Sequence, residues 1–112
     1  MSNDNLSGLI LELRRGTIVL SVLSKLRRPM YGYSLVSELT ESGIPVEGNT
    51  LYPLLRRLEA QGLLESRWDT AEAKPRKYYA VTEEGSQVRD ALERNWREMV
   101  EKMQNLLEED AQ

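Results

Sequence analysis

Neither cysteine nor histidine occurs in the 112 residues, and phenylalanine is missing as well. Without cysteine there is no disulfide, thiolate nucleophile or thiol redox sensor. Without histidine the chain lacks the commonest metal ligand and the usual general base near neutral pH. Catalysis or metal binding would rest on carboxylates alone, and no glycine-rich phosphate loop accompanies them, so an enzyme is the least expected reading and no cofactor or metal is expected. No apolar run approaches the roughly 20 residues that span a bilayer, and the opening MSNDNLSG lacks the basic, apolar, small-residue order of a secretory signal. The expected location is the cytoplasm, with no membrane partner.

What is present suits one small domain, which hides roughly two-thirds of its unfolded surface. Its core falls to Leu, Val, Ile, Met and Tyr, and small cores of this kind often complete themselves by dimerising. The net charge of −3 argues mildly against a nucleic-acid partner until it is divided along the chain. Residues 1–81 carry eleven Lys/Arg against nine Asp/Glu, and residues 82–112 carry four against nine. The acidity is mainly C-terminal, while bases gather at Lys25, Arg27 and Arg28, at Arg56 and Arg57, and at Lys74, Arg76 and Lys77. A local basic face is therefore compatible with a pI near 5.1.

Apolar residues at 6, 9, 10, 13, 20 and 23 have helical spacing, interrupted by Gly16 and the β-branched run Thr17, Ile18, Val19, so one long or two short helices fit equally well. Arg28-Pro29 stops that segment. A further helix follows Pro29 with Tyr33, Val36 and Leu39 on one face, closed by Ser42-Gly43. Asn49 is a good N-cap for the next helix, and Pro53 is tolerable near its start, where backbone N–H groups have no partner to lose. At about 100° per residue, Leu51, Leu54, Leu55 and Leu58 share one arc, the buried stripe, while Asn49, Tyr52, Pro53, Arg56, Arg57 and Ala60 fill the other side. Gly62 ends this helix. Leu63 to Trp68 reads as a strand, DTAEAKP as a turn, and Arg76 to Thr82 as a returning strand in which Tyr78 and Tyr79 divide between surface and core. Gly32 is expected at a turn or a close approach.

Helices joined by a tight connection and followed by a two-stranded hairpin describe a winged helix-turn-helix, mainly α within the α+β class. The helix beginning near Asn49 can then enter a major groove, and the hairpin can lie along the adjacent backbone. The expected DNA-contacting residues are Asn49, Thr50, Tyr52, Pro53, Arg56 and Arg57 on the helix and Lys74, Arg76 and Lys77 on the wing. A guanidinium there can reach phosphate oxygens or the O6/N7 edge of guanine.

The last segment carries its own signal. Thr82 can cap a helix whose first turn holds Glu83 and Glu84, favourable beside the positive end of the dipole. Leu92, Trp96, Met99, Met103 and Leu106 then follow at spacings of 4, 3, 4 and 3, a heptad seam. A single winged-helix core has no need of so long a helix. The seam predicts a homodimer, completed by Leu6, Leu9 and Leu13 of the first helix, and two-fold symmetry predicts an inverted-repeat operator. The chain thus divides into a DNA-binding domain over residues 1–81 and a dimerisation helix over 82–112, joined as one structural unit.

The stretches PMYGYSLVSEL (29–39), GNTLYPLLRRLEAQGLL (48–64), the following Trp68, and PRKYYAVTEEG (75–85) together resemble the PadR-like transcriptional regulators, in order and spacing. The resemblance implies a winged-helix homodimer that represses nearby genes and is released by a small ligand, and the single C-terminal helix resembles the short subfamily. Thr70 to Lys74 departs from it, having no glycine where many relatives carry one. Some short relatives bind flat aromatic or cationic drugs at a tryptophan in the last helix. By that resemblance Trp96, with Met99 and Glu93, would line a site for a small aromatic or hydrophobic effector, unless Trp96 is simply an interface anchor. Double-stranded DNA, a second copy of the chain and such an effector are the expected partners. The alternative is a winged helix that assembles with proteins and never meets DNA.

Overall fold

The structure, a computed structural model, describes residues 3–110. Its elements run α1 (Asn3–Arg15), α2 (Ile18–Lys25), β1 (Met30–Tyr31), α3 (Gly32–Glu41), α4 (Gly48–Ala60), β2 (Leu64–Asp69), β3 (Arg76–Val81) and α5 (Glu83–Asp110). The strands form one antiparallel sheet in the order β1-β3-β2. This is a winged helix with a long C-terminal helix, mostly helical, as the sequence predicts.

The first apolar segment is two helices. The break falls at Gly16-Thr17, where the Thr17 N–H and hydroxyl both donate to the Arg14 carbonyl, at 3.0 and 2.8 Å. Every described residue of α1 is exposed, whereas α2 buries Val22 and Leu23. The core comprises these two with Leu26, Leu35, Leu39, Val46, Leu51, Leu55, Leu58, Leu64 and Tyr79.

Helices α3 and α4 end the same way. After α3, the Ile44 N–H reaches the Leu39 carbonyl and the Gly43 N–H the Thr40 carbonyl; after α4, Leu63 and Gly62 repeat the pattern on Leu58 and Glu59. Gly43 and Gly62 take φ of 84° and 80°, the left-handed conformation that such a cap requires and that glycine adopts without a Cβ clash.

Three local expectations are corrected. Tyr33 is not on the buried face of its helix: it is 53% exposed, and Leu35 and Leu39 take the core positions. Asn49 is not the N-cap. Glu47 occupies that position in extended backbone, its carbonyl receives the Thr50 and Leu51 N–H groups, and it makes no side-chain cap bond. Pro53 consequently lies inside α4, beyond the first four residues, and its missing N–H leaves the Asn49 carbonyl without its helical donor.

Thr82 caps α5 as expected: its Oγ1 accepts the Gly85 N–H at 2.9 Å and donates to the Gly62 carbonyl at 2.7 Å, fastening α5 to the end of α4. Gly85 permits this, since a Cβ there would stand 2.0 Å from the Leu63 carbonyl oxygen. The first half of α5 packs on α2, with Val88 and Leu92 against the core and Arg89 Nε donating to Ser24 Oγ at 2.9 Å. The second half extends beyond the core, in keeping with a 61 Å long axis. Among the described residues no helix is long and apolar enough to cross a membrane.

Candidate nucleic-acid interface

The buried stripe of α4 fixes which of its side chains face out. Leu51, Leu55 and Leu58 anchor it, and Asn49, Thr50, Tyr52, Pro53, Arg56 and Arg57 are all exposed. Neither Arg56 nor Arg57 forms an ion pair with a described residue, unlike Arg76, Arg89 and Arg97. Being one step apart, the two side chains leave the helix about 100° apart. Arg57, with Thr50, Pro53 and Leu54, lines an open groove of about 1040 Å³ between α4 and the α1–α2 junction. On the opposite flank, Tyr52 lies against Gly32 and Glu59 reaches the wing. Arg56 stands on the outward arc towards that second flank.

The wing bases separate by the alternation of a strand. On the face turned to α4, Lys77 pairs across with Trp68 and lies beside Tyr79. Its Nζ is 3.6 Å from Glu59 Oε1, 5.8 Å from the Trp68 ring centre and 5.4 Å from that of Tyr79. Glu59 Oε2 also accepts the Ser66 hydroxyl at 2.5 Å, so Lys77 and Ser66 together hold the hairpin to α4. Arg76 occupies the other face, its Nη2 2.7 Å from Glu72 Oε2 and its Nη1 donating to the Tyr33 hydroxyl at 3.1 Å. Lys74 is exposed in the turn between the strands. Strand reasoning groups Lys74, Arg76 and Lys77 together; the structure brings Arg76 to the outer face and turns Lys77 inward.

β1 escaped the sequence reading. Two residues are too few to show an alternating pattern, yet Met30 and Tyr31 pair with Tyr79 and Tyr78 and bring an aromatic cluster to the outer face. The Tyr31 and Tyr33 rings stack at 5.6 Å with a 4° interplanar angle, and Tyr78 meets Tyr31 edge-on. The Tyr31 hydroxyl donates to Asp69 Oδ2 at 2.5 Å, while Asp69 Oδ1 accepts the Ala71 N–H. The bond to Asp69 raises the Tyr31 phenol above its ordinary pKa, and the same bond, then the Ala71 amide, lowers the Asp69 carboxyl. The Tyr-Gly-Tyr spacing about Gly32 was the one available signal for this cluster.

Leu6, Leu9 and Leu13 on α1 and Trp96, Met99, Met103 and Leu106 on α5 are exposed, whereas Leu92 is half-buried against its own core. Glu93 lies between Arg89 and Arg97, 2.8 Å from each, and these two guanidinium groups, Arg97 first, depress its pKa. The Arg97 guanidinium also stands 6.0 Å from the Trp96 ring centre.

The sequence profile of the Transcriptional regulator PadR-like family matches residues 19–91. Transcriptional regulator Rv3488 of Mycobacterium tuberculosis is 35% identical over 94 residues, 80% of this chain and 88% of that protein. The crystal structure of a PadR family transcriptional regulator from Eggerthella lenta superimposes with a TM-score of 0.90 at 54% identity, covering 94% of each chain. Bacillus subtilis PadR, crystallised in complex with operator DNA, shares the fold at a TM-score of 0.63 and 23% identity, over 68% of this chain and 45% of that one. The chain belongs to the PadR-like family of transcriptional regulators.

Proposed function

We propose that the protein is a ligand-responsive repressor that binds an inverted-repeat operator as a homodimer. The observation that carries the DNA-reading half is α4. One side of it is locked into the core by three buried leucines, and the other presents two arginines that no described carboxylate neutralises. In this reading α4 enters the major groove, with Arg56, Asn49 and Tyr52 near base edges and Arg57 and Thr50 near phosphate. Lys74 and Arg76 reach the flanking backbone. Lys77 contributes indirectly, by bracing the wing on Glu59.

The exposed apolar rows of α1 and α5 support the dimer. Patches of that kind on a small soluble domain mark an interaction surface, and a two-fold axis through α5 would set the reading helices about one DNA turn, ~34 Å, apart. Trp96 and Met99 of two copies would then form the walls of a site for a flat aromatic effector, and any positive charge on that effector would compete with Arg89 and Arg97 for Glu93. A ligand that favours a different spacing of the α5 helices loosens repression about 5- to 150-fold for a coupling of roughly 1–3 kcal/mol.

The test is a fluorescence-anisotropy titration against the DNA upstream of the chain's own gene, with a scrambled duplex, at two salt concentrations. Tight, sequence-dependent and salt-sensitive binding by a dimer is the expected result. Equal, salt-insensitive binding to both duplexes would turn the reading towards a protein-assembly module.

A further inference from the structure

The Arg76 side chain, 42% exposed, meets two tyrosines and one carboxylate. Its Cζ lies 5.7 Å from the Tyr31 ring centre and 5.8 Å from that of Tyr33, within cation–π range, and Nη1 donates to the Tyr33 hydroxyl. Those contacts come from β1 and the first turn of α3, so the guanidinium is oriented by the body of the domain. Nη2 is paired with Glu72. Glu72 stands four residues earlier, in the turn joining β2 to β3, with 65% of its side chain exposed and no other ion pair among the described residues. One partner is thus built in and the other is free to swing into solvent.

We propose that Glu72 is a built-in surrogate for a DNA phosphate, keeping Arg76 capped until a backbone phosphate oxygen takes its place. The exchange replaces one N–H···O⁻ bond by another of the same type, so the tyrosine cradle needs no rearrangement. The displaced carboxylate is left beside the phosphate, and each wing therefore engages DNA against an opposing charge. Because phosphates carry no sequence information, this restraint acts equally on operator and non-operator DNA. The inference rests on the DNA-binding reading and extends it: it assigns a negative role to a residue of the wing whose basic neighbours alone would be expected to matter.

The experiment is a double-mutant cycle on the full chain, comparing wild type, Glu72→Gln, Arg76→Ala and the double variant. Each is titrated by anisotropy with the upstream duplex and with a scrambled duplex of equal length. Glu72→Gln is expected to tighten both by about two- to fivefold, the span of an exposed ion pair, and to have no effect once Arg76 is alanine. A gain that persists in the Arg76→Ala background would be a general effect of net charge and would overturn the surrogate role, as would no gain at all. Wild-type protein that binds neither duplex in a salt-sensitive way would fail at the DNA-binding reading itself, a result separable from the other two because it precedes any comparison of variants.

Discussion

The Tyr52 ring occupies the space that a side chain at Gly32 would need: a Cβ there would stand 2.6 Å from Tyr52 Cε1, and one at Gly48 would stand 3.1 Å from Cε2. Gly32 opens α3 and Gly48 opens α4, so the two glycines cradle an aromatic ring at the join of these helices. Gly32→Ala should destabilise the fold by about 1–3 kcal/mol through overpacking and weaken operator binding by displacing Tyr52. In a Tyr52→Ala background most of that loss should disappear, which thermal denaturation of the four proteins would measure. Additive losses would show that Gly32 is required for some reason other than Tyr52.

Adjacent arginines should behave differently. Arg56, on the outward arc of α4, should cost about 1–3 kcal/mol on truncation to alanine and relax preference at one base pair. Arg57, beside the α1 groove, should weaken binding to all sequences alike and make the salt dependence shallower by about one phosphate contact. Titration against a set of single-base operator variants at several salt concentrations separates the two, and identical profiles would contradict the assignment.

The Tyr31–Asp69 bond predicts a pH window for the wing. Asp69 is depressed in the folded state, so its contribution is present above the ordinary carboxylate range and is lost as pH falls through the depressed value. Tyr31 is raised, so its contribution holds below the ordinary phenol range and is lost as pH rises through the raised value. Tyr31→Phe should move the Asp69 carboxyl back towards its ordinary pKa, observed by carboxyl-carbon NMR. The stability gap between the two proteins should be constant near neutrality and close in acid. A gap unchanged at low pH would mean that the ionised carboxylate is not what Tyr31 supports.

Charge in the α5 seam should dissolve the proposed dimer. Leu106 is 58% exposed in the single chain and far from its core, so Leu106→Glu should leave the domain folded while sedimentation shifts from dimer to monomer. Leu9→Glu on α1 should act in the same direction. Dimers that survive both changes would place the interface elsewhere.

Much of the architecture is legible in local sequence because it is locally caused. The stripe Leu51, Leu55, Leu58 follows from helical period, the ends of α3 and α4 from Gly43 and Gly62, and the start of α5 from Thr82. At Tyr33 and β1 the deciding contacts were distant in sequence, whereas at the start of α4 the cause was local. Tyr33 has the spacing of a core residue, but Tyr31 and Arg76, the latter 43 positions away, draw it outward. Asn49 is a good cap by type, yet Glu47 already holds the extended backbone and accepts the first helical bonds. β1 exists only because β3 has a free edge to pair with.

The sequence by itself determined the kind of protein: helix periods, turn residues and the order of elements prescribe a winged helix with an apolar seam on its last helix, since each depends on near neighbours in the chain. Tertiary structure decided which charges are free to act. Register across β2 and β3 sends Lys77 to Glu59 and Arg76 to Tyr33 and Glu72, and the pitch of α4 separates Arg56 from Arg57. A basic residue's role depends on the partner that reaches it first, and those partners are brought near only when the chain has folded.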